Sequence, residues 1–239
     1  MMQLDLRGAS RFLGVDEGTM YRWARRGEIP ARLVHDQYSF DHVDLLEFAS
    51  ARGIKVSTEM LAEPDSRGQP MPSLAEAVRA GGVHHDVPGP DKAAVLKAVV
   101  DRLPLPASIS PSFLYQMLLA REQLGSTGFG HGIAIPHARD PVVLRVAAPA
   151  VAVSYLATPV DFEALDGKPV HTLFTMVSPS VRVHLHLLAV LATALRDADV
   201  MAAVAARAPE PDLVEALARV EASLPRNRDG GGVAGAKKA

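Results

Sequence analysis

Residues 121–137 read R-E-Q-L-G-S-T-G-F-G-H-G-I-A-I-P-H, and the fold and chemistry of the chain depend on this stretch. Its four glycines surround Ser126 and Thr127, and a short apolar segment, Ile133-Ala134-Ile135, then leads through a proline into His137. Glycine permits backbone with positive φ and a close approach to an anion. Successive amide groups in such a loop can form an anion-binding nest. We therefore expect a phosphate cradle, followed by a short strand that ends in a histidine.

His137 has the properties of a phosphoryl acceptor. A histidine with a reference pKa of about 6.5 is mostly neutral at pH 7, and its neutral nitrogen can act as a nucleophile. Ser126, Thr127 and the glycine amides can donate hydrogen bonds to phosphoryl oxygens, and Arg121 can donate a charge-assisted one. The simpler alternatives are a surface histidine, an Arg121 paired with Glu122 or Asp140, and hydroxyls in an ordinary turn. The glycines do not follow the G-x-G-x-x-G spacing of nucleotide-binding loops.

A second histidine for this site is available downstream. The sequence S-P-S-V-R-V-H-L-H-L-L-A-V-L-A predicts a helix over residues 181–196 that contains His184 and His186. His184 aligns with the apolar face of this helix, whereas His186 points elsewhere, so the two do not converge on a metal ion. The alternative for His184 is a histidine that only packs the helix. Transfer between histidines requires neither metal nor cofactor, and we expect none. We assign no role in the site to His131, which stands within the glycine-rich run.

Composition limits the class of protein. The chain has 239 residues, 48% of them hydrophobic, no cysteine and a net charge of −2. This length is comfortable for two domains, and the absence of cysteine excludes disulfides and thiolate metal sites. No run approaches the ~20 apolar residues of a membrane span. We expect a cytoplasmic protein without a membrane segment.

Two folded blocks are predicted. Residues 57–73 are polar with three prolines and predict a linker, and the glycine-rich residues 225–239 predict a disordered tail. These segments leave a first block, 1–56, and a second block, 74–224. In the second block helices alternate with strands, which is typical of an α/β fold with helices on both faces of a sheet. Helices are expected over 74–80, 92–103, 111–122, 181–196, 200–206 and 213–224, and strands over 83–87, 150–156 and 170–177.

The first block has the pattern of a helix-turn-helix. Apolar residues recur at helical spacing on both sides of Gly14-Val15-Asp16, and Asp16 is a natural N-cap for a helix from Glu17. A small hairpin flanks residues 35–37, and Asp41 is placed to cap a third helix.

Residues 4–54 resemble the winged-helix DNA-binding module of excisionases and MerR-type regulators, through A-S-R-F-L-G-V-D-E-G-T-M-Y-R-W-A-R-R-G-E-I-P and the hairpin that follows. The resemblance implies that the second helix enters the major groove. The DNA-facing residues would be Thr19, Tyr21, Arg22, Arg25 and Arg26. The block nevertheless has eight basic and eight acidic residues, so its net charge is zero and a monomer should bind DNA weakly. The alternative is a module that docks on protein.

The second block resembles a phosphotransferase-system enzyme IIA domain of the fructose/mannitol type, closest to its nitrogen-regulatory branch. The resemblance rests on G-G-V-H-H-D-V, on L-L-A-R-E-Q-L-G-S-T-G-F-G-H-G-I-A-I-P-H-A-R, on D-F-E-A-L-D-G-K-P-V and on H-L-H-L-L-A-V-L-A. It implies a mixed sheet between helices, His137 as the phosphorylated residue, His184 as an auxiliary histidine and Arg121 as the phosphoryl-binding arginine. The implied donor is the small carrier HPr or a paralogue.

Together the blocks predict a regulator rather than an enzyme acting on a small molecule. His137 would accept phosphate, and the added charge would bias binding of DNA or of a partner. Such DNA-binding modules commonly act as dimers, so a homodimer is expected. The alternative is a phosphocarrier or interaction protein whose helix-turn-helix docks on protein.

Overall fold

The computed structural model describes residues 3–34, 37–41, 44–45, 48–49, 52, 54, 71–107, 109–138, 141–144 and 146–224. Most of the predicted linker, the predicted tail and Asp140 lie outside these ranges. The division of the chain at residues 56, 73 and 224 therefore stays a prediction.

The N-terminal module contains the two predicted helices, α1 (Leu6–Leu13) and α2 (Glu17–Arg25). The Asp16 side chain accepts a hydrogen bond from the Thr19 amide at 2.8 Å, which is the expected N-cap. The predicted hairpin is present as β2 (Arg32–Val34) and β3 (Gln37–Asp41). A strand that sequence analysis did not predict, β1 (Gln3–Leu4), pairs with β3, because two residues are too few to show a periodic pattern.

Five described residues after the hairpin are helical. They are Asp44, Leu45, Phe48, Ala49 and Arg52, and we call these five residues the 44–52 stretch. Leu45, Phe48 and Ala49 are buried with the core residues of α1 and α2. Asp44, Phe48 and Arg52 are spaced by four residues and so lie along one side of the helix. The start of the helix that Asp41 is predicted to cap, residues 42 and 43, lies outside the described part, so this cap stays a prediction.

The C-terminal block is built on a mixed five-stranded sheet with the order β4-β7-β8-β6-β5. The β7 strand runs parallel to β4 and antiparallel to β8, and β6 runs parallel to β8 and antiparallel to β5. The strands are β4 (Val83–Val87), β5 (Gly128–Gly130), β6 (Ile133–Ala134), β7 (Ala150–Val160) and β8 (Val170–Val177).

Helices cover both faces of this sheet. They are α3 (Leu74–Gly81), α4 (Lys92–Val100), α5 (Pro111–Gln123), α6 (Val181–Ala194), α7 (Ala198–Ala205) and α8 (Glu210–Ser223). Alternate residues of β7 enter different apolar clusters, since side chains alternate along a strand. Val151 and Val153 pack with Leu188 of α6, whereas Ala152 packs with Leu96 of α4 and Leu114 of α5. The predicted α/β class with a mixed sheet is confirmed.

Several predicted elements have other bounds in the structure: β7 continues to Val160 rather than to residue 156, α6 ends at Ala194 rather than at 196, and α7 and α8 begin at Ala198 and Glu210 rather than at 200 and 213. Two further differences have a local cause. Helix α4 ends at Val100 rather than at residue 103, because Pro104 disfavours a helical conformation in the residue before it. The glycine-rich run is not a loop but a hairpin of β5 and β6, joined through His131 and Gly132. Gly132 has φ +75°, and a Cβ at this position would lie 2.3 Å from the His171 ring. The turn therefore requires glycine.

The first and last helices of the block are joined by one side chain. The Glu221 carboxylate of α8 accepts hydrogen bonds from Ser73 Oγ at 2.7 Å and from the Leu74 amide at 2.8 Å. A carboxylate at a helix N-terminus is favoured by the helix dipole and by the unsatisfied amides there. This contact fixes the point at which the chain enters the second block.

Candidate functional site

The backbone around His137 is fixed by the centre of the sheet. The segment that follows β6 continues alongside β8, where His137 and Met176 form a parallel bridge and the Met176 amide donates to the Pro136 carbonyl at 2.9 Å. His137 is only 2% exposed. The imidazole is thus presented from a rigid strand end rather than from a loop.

The hydrogen bonding of His137 selects one ring nitrogen. Nδ1 lies 2.7 Å from the Ile135 carbonyl oxygen. A carbonyl only accepts, so Nδ1 carries the hydrogen and Nε2 keeps a lone pair. Burial, reinforced by the Arg121 charge, lowers the pKa of His137 to about 3 against the opposing effects of the Ile135 carbonyl and the Glu122 and Asp44 carboxylates. At pH 7 the ring is neutral, as a nucleophile must be.

His184 lies beside His137 in the first turns of α6. The two ring centroids are 5.0 Å apart with an angle of 49° between the planes. His184 is 1% exposed, and its pKa is held well below the usual value by burial and by the neighbouring His137 and Arg121. Among the described residues neither of its ring nitrogens has a hydrogen-bond partner. A buried polar group without a partner is costly, so this position fits a residue that bonds to a group added on His137.

Arg121 is the third predicted site residue that the structure places together, beside His137 and His184. It stands in the last turn of α5, is 6% exposed, and lines the same cleft as His137. Its Nη1 donates to the Gly125 carbonyl at 2.8 Å, which orients the guanidinium across the loop that follows the helix. The cation lies close enough to lower the pKa of both histidines.

Ser126 and Thr127 also line the cleft, but their donors are engaged within the chain. Ser126 Oγ donates to the Phe162 carbonyl and accepts from the Gly128 amide at 2.9 Å. Thr127 donates to Glu122 Oε2 through its hydroxyl at 2.5 Å and through its amide at 3.0 Å. In this arrangement both residues hold the loop in place.

Three of the amides expected to form a nest are engaged within the chain. Besides the amides of Thr127 and Gly128, the His131 amide donates to Asp166 Oδ2 at 2.8 Å. These amides are therefore taken by side chains, and the glycines form hairpin backbone. His131 itself is exposed in the turn with φ +54°.

The structural role of Glu122 was not predicted from the sequence, which indicated this residue only as a possible partner of Arg121. This carboxylate is 6% exposed, accepts both Thr127 donors, and lies 3.6 Å from Lys92 Nζ. It connects α4, α5 and the loop beside His137. No sequence signal distinguished it, because an acidic residue next to Arg121 on a helix is usually solvated.

The histidine pairs His84/His85 and His184/His186 do not converge on a metal site. His84 Nε2 lies 3.2 Å from the Gly81 carbonyl oxygen, and the His85 ring packs 4.9 Å from Tyr155. His186 is half-buried near Glu221 and the Pro72 backbone. Within the described residues no cluster of three metal-ligating side chains occurs.

The residues predicted to face DNA lie on α2 and, for Arg26, at its C-cap. Thr19 Oγ1 donates to Asp16 at 2.6 Å and accepts from Arg22 Nη2 at 2.6 Å. Tyr21 is 46% exposed and meets Tyr38 edge to face. Arg22, Arg25 and Arg26 are exposed.

The cleft at His137 has two walls. Its volume is about 540 Å³. Residues of the second block, including Arg121, Ser126 and His137, form one wall, and residues of the N-terminal module form the other. Asp44 is the residue of that module whose charge acts on His137.

Comparison with known proteins places both blocks in known families. Residues 77–220 match the family described as phosphoenolpyruvate-dependent sugar phosphotransferase system, EIIA 2, and residues 4–53 match the helix-turn-helix domain family. No helix in the described ranges is long and apolar enough to cross a membrane.

Individual relatives match the second block. A nitrogen regulatory protein of Pseudomonas aeruginosa is 45% identical over 121 residues, which are 48% of this chain and 75% of that protein. A nitrogen regulatory protein of Escherichia coli K12 is 34% identical over 117 residues, covering 48% of this chain and 70% of that protein. The crystal structure of nitrogen regulatory protein IIA-Ntr from Neisseria meningitidis is similar with a TM-score of 0.54 and 28% identity, covering 60% of this chain and 98% of that one.

Proposed function

Since the chain belongs to the EIIA 2 family of the phosphoenolpyruvate-dependent sugar phosphotransferase system, we propose that it accepts a phosphoryl group on His137 from an HPr-like carrier protein. The second part of the proposal is that the phosphorylated state controls the binding of DNA or of a partner through the helix-turn-helix module. The protein would thus act as a cytoplasmic regulator, as a homodimer on DNA.

One observation carries the first part of this proposal. The Nδ1 hydrogen of His137 is held by the Ile135 carbonyl, and Nε2 is left with a lone pair beside a buried His184 that has unsatisfied nitrogens in the described structure. Nε2 would attack the phosphorus while the P–N bond to the carrier histidine breaks. The leaving ring retains its electron pair and, if its other nitrogen is protonated, departs as neutral imidazole. His137 keeps its Nδ1 hydrogen throughout.

The surrounding residues supply the remaining requirements. Arg121 adds a positive charge near the transferred group, and charge-assisted bonds to phosphoryl oxygens are strong in a buried site. The ring N–H of His184 would donate to an oxygen of the phosphoryl group on Nε2. Ser126 and Thr127 would contribute through the loop that they hold, and they reach phosphoryl oxygens only if their present partners are exchanged. The reaction needs no metal or cofactor in this scheme.

Labelling with a phosphorylated carrier tests the acceptor. Radiolabelled phosphorylated HPr should transfer its phosphoryl group to the wild type and to His131→Asn, a matched control that removes an exposed histidine of the neighbouring turn. His137→Gln should stay unlabelled. The linkage should be labile in acid and stable in base, as for a phosphorus–nitrogen bond. Equal labelling of His137→Gln would disprove the assignment. His184→Gln should fold and accept phosphate more slowly.

Binding to a random-sequence duplex at low salt tests the second part. The wild type should bind with a strong salt dependence. Arg22→Ala and Arg25→Ala should each weaken binding and reduce the salt slope by about one unit. Arg11→Ala, on α1, is the control and should bind like the wild type. If the wild type does not bind at low salt, the module docks on protein instead.

A further inference from the structure

The N-terminal module lies over the phosphoacceptor site. The turn after α2 and the 44–52 stretch form the wall of the cleft that faces His137. The buried apolar residues of the two blocks also form one continuous cluster, to which Phe48 of the module and Leu188 of α6 belong. Both residues line the cleft. The module is therefore packed against the site rather than merely connected to it by the chain. The charged residues of the module that line the cleft are Glu28, Arg32, Asp44 and Arg52, and among these Asp44 is the one whose charge acts on the His137 ring.

The size of the cleft determines what can reach His137. A volume of about 540 Å³ is typical of a small-molecule pocket. It accommodates a phosphoryl group or a small phosphoryl donor, but a carrier protein cannot enter it. A carrier must nevertheless bring its own histidine to within bonding distance of Nε2, since transfer requires in-line contact. The module and the carrier consequently need the same surface of the second block.

We propose that the helix-turn-helix module is a displaceable cover on the phosphoacceptor site, that it competes with the carrier protein for the surface around His137, and that phosphorylation of His137 keeps it displaced through repulsion of Asp44. This inference rests on the proposed function and specifies how the same site is regulated.

Asp44 gives the cover its dependence on phosphorylation. Its carboxylate and the Arg121 guanidinium belong to opposite walls of the cleft, and both charges act on the His137 ring. Before phosphorylation, the carboxylate faces a wall that carries the Arg121 cation. A phosphoryl group adds up to two negative charges and strong acceptors for Arg121. Asp44 then faces like charge in a partly buried cleft, where such a juxtaposition disfavours the docked state.

The residues predicted to face DNA are outside the covered surface. Tyr21, Arg22 and Arg25 of α2 and Arg26 just after it are exposed in the docked arrangement, and none of these residues lines the cleft. The cover therefore hides the phosphoacceptor without hiding the recognition helix. Docking controls access to His137 and the orientation of the two blocks.

Two phosphoryl donors of different size test the cover in the full-length protein. Phosphorylated HPr requires the exposed surface, whereas potassium phosphoramidate is small enough for the cleft. Asp44→Lys places a cation opposite Arg121 and should open the cover. The ratio of the HPr rate to the phosphoramidate rate should rise about tenfold, because effects on His137 itself cancel in this ratio. Glu17→Lys makes the same charge change on an exposed residue outside the cleft and should leave the ratio unchanged. An unchanged ratio in Asp44→Lys would overturn the proposal.

A distance measurement tests the cover without phosphorylation. The chain lacks cysteine, so nitroxide labels can be placed at Arg11→Cys and Glu215→Cys, both exposed positions in different blocks. Pulsed electron paramagnetic resonance should give one narrow distance in the wild-type background and a broad, longer distribution with Asp44→Lys. Identical distance distributions in the two proteins would refute the cover, whether or not any donor labels His137. A failure of every donor to label His137 would refute the proposed function instead.

A second variant keeps the proposal testable if Asp44→Lys misfolds. Asp44→Asn removes the charge with almost no change in shape. After treatment with phosphoramidate the wild-type distribution should broaden, and that of Asp44→Asn should change much less. Equal broadening in both would show that Asp44 does not carry the response.

Discussion

Acidification should destabilise the second block through its two buried histidines. His137 and His184 are 2% and 1% exposed, and burial lowers the pKa of His137 to about 3 and that of His184 well below its usual value. In the unfolded chain both rings have a pKa of about 6.5. Below that pH the unfolded state binds protons that the native state does not, so the free energy of unfolding falls as the pH is lowered.

The size of the effect follows from the difference in pKa. On lowering the pH from 7.5 to 5.5, each ring that is protonated only in the unfolded state reduces the free energy of unfolding by about 1.4 kcal/mol. His137 should therefore cost about 1.4 kcal/mol, and His184, whose pKa is lowered in the same direction, should add to this loss; such losses are a large part of the stability of an ordinary domain. The loss should continue down to the native pKa of His137.

Urea unfolding at the two pH values measures this loss. Far-UV circular dichroism follows the whole chain, and Trp23, the only tryptophan, reports the N-terminal module separately. The comparison is with His137→Gln/His184→Gln, which does not titrate at these positions. His171 and His186, whose pKa values are also lowered by burial, are present in both proteins and cancel. An equal loss of stability in wild type and variant would refute the reasoning.

Three substitutions test other contacts by urea unfolding at pH 7.5. Glu122→Gln replaces the buried carboxylate that accepts both Thr127 donors and should cost about 1–3 kcal/mol. Gly132→Ala introduces a Cβ only 2.3 Å from the His171 ring at positive φ and should cost about 1–3 kcal/mol. Glu221→Ala removes the carboxylate at the start of α3 and should cost about 1–2 kcal/mol.

A common control accompanies these variants. Glu163 is 76% exposed and lies 3.5 Å from Lys92, a surface ion pair. Glu163→Gln should change stability by less than about 1 kcal/mol. If Glu163→Gln loses as much stability as Glu122→Gln, the burial of Glu122 is not the cause of the loss in Glu122→Gln.

Elements with a clear period and local caps were predictable from sequence. The alternation of helices and strands gave the α/β class, and Asp16 accepts the expected hydrogen bond at the start of α2. Ser73 and Asp91 cap α3 and α4 in the same way. The helix-turn-helix and its hairpin were predicted for the same reason. Such signals are contained within a few neighbouring residues, so they do not require knowledge of the tertiary fold.

Features that depend on distant contacts were not predictable. The strand β1 is recognised only by its pairing with β3. The glycine-rich run forms a hairpin because β6 pairs with β8, 39 residues later in the sequence, at Ile133 and Thr172. The position of Asp44 over His137 depends on the packing of two blocks. No local pattern in the sequence encodes such an arrangement.

The hydrogen bonds from Ser73 and Leu74 to Glu221 affect how the N-terminal module would return to the cleft at His137. They give the connecting segment a fixed attachment on the second block. Only seventeen residue steps separate Ile54 from Met71, a reach of at most roughly 60 Å. A tethered module over such a distance has an effective concentration in the millimolar range. If the module is the proposed cover, redocking after loss of the phosphoryl group would be a first-order process with a rate independent of protein abundance. A carrier would then succeed only during the intervals when the module is away.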